Sequence, residues 1–135
     1  MRGCQWRWRG IQARALTARG SIGDAAAVNA SNGLSGMNSV GKKFTGSYVE
    51  AGYDVLFLRG GRASLVPFAR WERFDTQDEV PAGFAADPEN DVRLWTLGLQ
   101  FRPIPQVVVK LDYQDVRNAA RTGVDQWNLA LGWLF

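Results

Sequence analysis

From Trp127 onward every second residue is large and apolar: Trp127, Leu129, Leu131, Trp133 and Phe135. The residues between them, Asn128, Ala130, Gly132 and Leu134, are mostly small or polar. A period of two marks a strand with one apolar face. The pattern recurs upstream. In 107–116, Val107, Val109, Leu111 and Tyr113 oppose Val108, Lys110, Asp112 and Gln114. In 94–102, Trp95, Leu97, Leu99 and Phe101 oppose Thr96, Gly98, Gln100 and Arg102. Segment 63–74 sets Leu65, Ala69 and Trp71 against Arg70 and Glu72. Segment 44–58 sets Val49, Ala51, Tyr53, Val55 and Phe57 against Tyr48, Glu50 and Asp54. A sixth strand is predicted over 5–18. A bulge is placed near Gly10, because the phase of Trp6 and Trp8 does not carry into Ile11, Ala13 and Ala15.

The intervals between these segments alternate in length. "RGGR" (59–62) and "RPIPQ" (102–106) read as tight turns. Long loops fall at about 20–41, rich in Gly, Ala, Ser and Asn, and at about 75–93, which is acidic. Short turns on one side and long loops on the other are the habit of outer-membrane barrels. The predicted strands also run about 9–12 residues, enough for a tilted strand to cross a bilayer. Ordinary soluble strands run about 5–6.

Aromatic residues cluster near the ends of the apolar rows. Tyr53, Phe57, Phe101, Trp133 and Phe135 lie toward the short turns, and Trp71, Trp95, Tyr113 and Trp127 toward the long loops. That is the arrangement of two membrane-interface belts. The opposite face carries Arg14, Glu50, Asp54, Arg70, Glu72, Arg102, Lys110, Asp112 and Gln114. Mid-strand charges are costly in a dry core but remain solvated in a water-filled channel. A soluble sheet would need partner elements over all the apolar rows, and no amphipathic helix is available to supply them.

Composition narrows the alternatives. With 21% charged residues and no run of eighteen apolar ones, the chain offers no transmembrane helix. Cys4 is the single cysteine, so no intrachain disulfide frames the fold. Five arginines and no acid occupy residues 1–19, interleaved with Trp6 and Trp8. Without a basic face elsewhere or a recognition helix, nucleic acid is not an expected partner. "GMNSVGKK" (36–43) approaches a phosphate loop, but Lys43 stands where Ser or Thr is required and a strand follows instead of a helix. It reads as a surface loop. "DPEND" (87–91) reads as a solvated acidic loop, its spacing matching no calcium cage. No histidine is present, and no Ser or Cys has a base beside it. Glu72 and Asp112 are the carboxylates that could act together, but both alternate with cations as in a pore wall. No catalytic residue, metal or cofactor is expected.

Four segments together resemble the closing strands of the phosphate-selective porin family (porins O and P) and related outer-membrane porins. They are "GSYVEAGYDVL", "VPFARWERFDTQ", "LWTLGLQFRPIPQVVVKLDYQDVRN" and "DQWNLALGWLF". The likeness is closest over 44–135 and looser over 5–43. It implies an all-β fold: an antiparallel meander of about six long transmembrane strands, 1–135 forming the C-terminal part of a barrel of about sixteen strands. Six strands are too few to close alone, so the chain reads as the C-terminal portion of a longer protein. The alternative is one of several chains sharing a barrel. The resemblance further implies passive diffusion of small hydrophilic solutes or anions, phosphate among them, through a homotrimer in the bacterial outer membrane. Lipid, lipopolysaccharide and the barrel-insertion machinery are the implied partners. Trp127, Leu129, Leu131, Trp133 and Phe135 would form the assembly signal. A non-conducting anchor or adhesin, and a soluble β-sandwich binding module, are the competing readings.

Deleting Phe135 separates packing from recognition. Its ring removes apolar area worth only about 2 kcal/mol from water, too little to unfold a many-stranded barrel. The expected result is a large drop in heat-modifiable protein recovered from outer-membrane fractions, with unaltered conductance in the molecules that do insert.

Overall fold

The computed structural model describes residues 1–134; Phe135 lies outside the described residues. It contains seven strands: β1 (Arg2–Trp8), β2 (Ile11–Ser21), β3 (Lys43–Tyr53), β4 (Ser64–Glu79), β5 (Asp91–Arg102), β6 (Val107–Asn118) and β7 (Gln126–Trp133). They form one antiparallel sheet in the order β1-β2-β3-β4-β5-β6-β7, each strand bonded to its sequence neighbours. Among the described residues the outer edges of β1 and β7 are unpaired, so the sheet is not closed.

The expectation of six strands is corrected at the N-terminal end. Segment 5–18 is not one bulged strand but a hairpin, turning at Arg9 (φ 47°) and Gly10 (φ 85°). Two consecutive positive φ values suit a two-residue turn that matches the twist of its strands. Gly10 is also needed sterically, since a Cβ there would lie 2.9 Å from Cβ of Phe57. A second correction concerns 54–58, predicted as the end of a strand. β3 stops at Tyr53, because Asp54 Oδ1 accepts hydrogen bonds from the backbone N–H groups of Leu56 (3.0 Å) and Leu65 (3.1 Å). That Asx-type closure turns the chain, and Phe57 then sits in a short 3-10 turn, Phe57–Arg59.

The sheet has no apolar interior. Among the described residues the only buried hydrophobic ones are Ala25 and Val66. A soluble domain of this size normally buries most of the surface its unfolded chain exposes. Here the long connections supply no second layer. The β2–β3 connection holds one short helix, α1 (Ala25–Ser31), and packs at the end of the sheet.

Two buried amides organise that end. Asn29, fully buried, donates from Nδ2 to the Val40 carbonyl (3.1 Å) and accepts from the Val40 N–H at Oδ1 (2.7 Å), closing the loop on itself. Gln77, 5% exposed, lies where the β3–β4 register shifts. Its Nε2 donates to the carbonyls of Ser39 and Met37, and its Oε1 accepts from the Asp87 N–H (2.6 Å). One side chain thus ties the 22–42 connection to the 80–90 connection. Gly41 lies so close to β4 that a Cβ would come within 2.4 Å of the Thr76 carbonyl oxygen. Lys42 and Lys43 both bond Glu79, and these hydrogen bonds hold its carboxyl down at about 2, so the contact survives well below the usual carboxylate range.

Replacing Gln77 by Ala leaves the Ser39 carbonyl and the Asp87 N–H without their side-chain partner, while the Met37 carbonyl keeps the Ser39 N–H, at a cost of about 1–3 kcal/mol. The expected readout is faster amide exchange and proteolysis within 22–42 and 80–90, with exchange in the β5–β6 ladder unchanged.

Candidate functional site

Residues directly opposite in an antiparallel ladder share a face. The ladder therefore fixes what each side of the sheet carries. One face runs Ala51, Ala69, Leu97 and Tyr113 in one row and Pro67, Leu99, Leu111 and Leu129 in the next. These residues are largely uncovered: Leu97 is 58% exposed, Leu129 76% and Leu131 63%. Toward the loops the Leu97 row ends in Tyr113 opposite Trp127, whose rings lie 5.1 Å apart, and the next row pairs Trp71 with Trp95 and Trp95 with Asp115. Toward the turns, Ile11 pairs Tyr53, Leu65 pairs Phe101 and Val107 pairs Trp133. The apolar face thus has an aromatic row at each end and aliphatic residues between. Trp95 and Phe101 mark these rows on one strand, separated by about 20 Å of chain at 3.3 Å per residue.

The other face is charged and the more enclosed of the two. Val66, Thr96 and Asp112, each 3–4% exposed, all belong to it. A cavity of about 220 Å³ opens on this face, lined by Gln12, Arg14, Glu50, Val66, Phe68, Arg70, Gln100 and Lys110. Arg14 faces Glu50 across β2–β3 at 3.7 Å, and Glu50 faces Arg70 across β3–β4. Arg70 bonds Glu72 (3.0 Å), and its guanidinium lies 4.0 Å above the Tyr48 ring. Lys110 bonds Asp112 (3.1 Å) and stands 4.9 Å from the Phe68 ring. Asp112 also accepts from Asn128 (3.0 Å). Gly98 leaves room for this arrangement, since a Cβ there would run into the Phe68 ring at 2.4 Å. Gln114 accepts from Gln126 (2.5 Å).

Of the residues expected to line a pore, Arg14, Glu50, Arg70, Glu72, Arg102, Lys110, Asp112 and Gln114 lie on this one face. Asp54 does not: it caps the turn after β3. The hairpin adds one residue the sequence reading missed. Arg7 pairs Gln12, and so joins the same face. Five cations, Arg7, Arg14, Arg70, Arg102 and Lys110, then stand against three carboxylates, Glu50, Glu72 and Asp112. The Nε–H groups of Arg14 and Arg70 are buried and meet no acceptor among the described residues. A buried donor with no protein partner calls for water or an anion.

The acidic loop at 87–91 forms local structure. Asp87 accepts from the Glu89 N–H (2.9 Å), Glu89 accepts from the Thr122 hydroxyl (2.9 Å), and Asp91 bonds Arg73. The 36–43 segment runs as a loop into β3, as expected of a surface connection.

No family model and no solved structure matches the chain. A protein of Aquifex aeolicus (strain VF5), described as an uncharacterized protein, is 25% identical over 96% of this chain. The chain spans 31% of that relative's length.

Proposed function

We propose that the chain is part of the wall of a larger outer-membrane barrel of the porin type, related to the phosphate-selective porins. Small hydrophilic solutes, anions favoured, diffuse passively along its charged face. The observation that carries this reading is the inversion of the two faces: aliphatic and aromatic residues outward and uncovered, charged residues inward and enclosed. Lipid is the solvent that makes such an outer face stable, and a water-filled lumen the one that suits the inner face.

The open edges of β1 and β7 support incorporation into a longer ladder, since spanning sheets tolerate no free edge in hydrocarbon. The connections at the two ends also differ as in outer-membrane barrels, the two shortest at one end and the two longest at the other, with 54–63 longer than 119–125 as the exception. Turns at 9–10, 54–63 and 103–106 fall at one end, and those at 22–42, 80–90 and 119–125 at the other. A soluble sandwich would need a second layer over the apolar rows, and the described residues contain none.

Selectivity comes from the field of the inward charges combined with steric narrowing. The excess of cations on this wall favours anions.

The test is single-channel recording of protein extracted from outer membranes, under a salt gradient. Wild type should conduct with an anion-selective reversal potential. Lys110→Gln removes one charge from the lumen, a change of about 1 kcal/mol for an ion 4 Å away in water, or roughly five-fold in occupancy. The expected result is normal insertion with weaker anion preference. Inserted protein that does not conduct would instead favour an anchor or adhesin.

A further inference from the structure

The charged face has a counterpart outside. Directly beyond the Trp71–Trp95 pair, on the outward face, Arg73 stands opposite Arg93, and Arg93 opposite Arg117. Three exposed arginines on adjacent strands thus form one row across the sheet. Like charges placed directly opposite destabilise a sheet, so the row needs compensation. Two of the three have it. Arg73 forms a two-pronged bond with Asp91 (3.1 and 3.3 Å), and Arg117 with Asp115 (3.0 and 2.8 Å). Arg93, between them, meets no hydrogen-bond or ionic partner among the described residues. Asp75, the remaining carboxylate of this corner, is turned to the Gln77 N–H.

The row borders open space on both sides. A hollow of about 510 Å³ on the membrane side is lined by Trp71, Arg73, Arg93, Trp95, Asp115 and Arg117. One of about 290 Å³ on the loop side is lined by Arg93, Arg117, Asn118 and Arg121 among others. Arg93 and Arg117 belong to both, so the central guanidinium stands between the two hollows.

We propose that this row is a binding site for the phosphate of a lipid headgroup in the surrounding leaflet, with Arg93 as its principal ligand. The inference rests on the outer-membrane reading above. Arginine binds phosphate through two parallel N–H donors, and Arg93 has its whole fork available. Position selects the source of the phosphate. The Trp71–Trp95 pair lies at the level of an interfacial belt, so the arginines fall at headgroup height on the long-loop side. Below the belt the same face continues as Leu97 and Leu99, which would receive the acyl chains. In an outer membrane the long-loop side is extracellular, and there the phosphate is that of a phosphorylated glycolipid such as lipid A.

The proposal can be tested on protein purified from outer membranes, by native mass spectrometry in detergent with added lipid A. Three probes are compared: diphosphorylated lipid A, its dephosphorylated form, and inorganic phosphate as competitor. Wild type should retain the diphosphorylated lipid and lose it at least ten-fold more readily when Arg93→Gln is introduced. Arg93→Lys should restore part of the binding, and Asp115→Asn, which frees the Arg117 fork, should tighten it. Inorganic phosphate in the millimolar range should not displace the lipid. Equal retention by wild type and Arg93→Gln, or equal retention of the dephosphorylated lipid, overturns the site. Displacement by inorganic phosphate overturns the lipid as its occupant. These failures leave channel conductance intact, so they are distinguishable from failure of the membrane reading, which would show as protein that stays soluble without detergent.

Discussion

The structure depends on one constraint: seven strands are joined only by nearest-neighbour backbone ladders, in a single layer. A single layer has no interior. Its two faces cannot both bury side chains, so each must be matched to its own solvent. The pleat then sorts residues by parity, and a register slip of one residue would carry every leucine of a strand to the charged side. The cross-strand pairs Leu97–Ala69, Leu99–Leu111 and Leu111–Leu129 record a register kept across four strands. Among the described residues the fold is thus held chiefly by hydrogen bonds along the strands, with almost no protein packed on protein.

The same logic explains the ends. Where β4 passes beyond the aromatic row, side-chain chemistry changes from leucine and tryptophan to arginine, aspartate and buried amide. Asn29 and Gln77 satisfy loop backbone groups that no ladder reaches, Asn29 within one long connection and Gln77 between two. The arginine row of Arg73, Arg93 and Arg117 sits at that change of regime. The long loops are thereby anchored to that end of the sheet.

Much of this was legible in the sequence because parity survives any fold: the alternation at 94–102, 107–116 and 127–133 assigns faces without coordinates. The failures occurred where parity is ambiguous. Both a bulge and a two-residue turn shift the phase of Trp6 and Trp8 relative to Ile11, Ala13 and Ala15. Arg9 carries none of the Asn or Asp preference that flags such a turn, so the hairpin was missed, and Arg7 with it. Asp54 kept the right parity for the charged face, yet its short side chain closes a turn instead. Gln77 and Asn29 had no sequence signal, because their roles depend on partners 38 and 11 residues away. The arginine row was invisible for a similar reason: three single arginines become one feature only through register.

The central claim is that the two faces of this sheet meet different solvents. It is tested most directly by single cysteines at Leu99, Leu111, Gln100 and Lys110, in protein whose Cys4 is replaced by Ser, carrying nitroxide labels in lipid bilayers. Collision with dissolved oxygen reports lipid, and collision with a water-soluble nickel complex reports the lumen. The account predicts that labels at 99 and 111 collide with oxygen, and those at 100 and 110 with nickel, alternating residue by residue. Equal access of the nickel complex to all four, or protection of 99 and 111 from both probes, would contradict it.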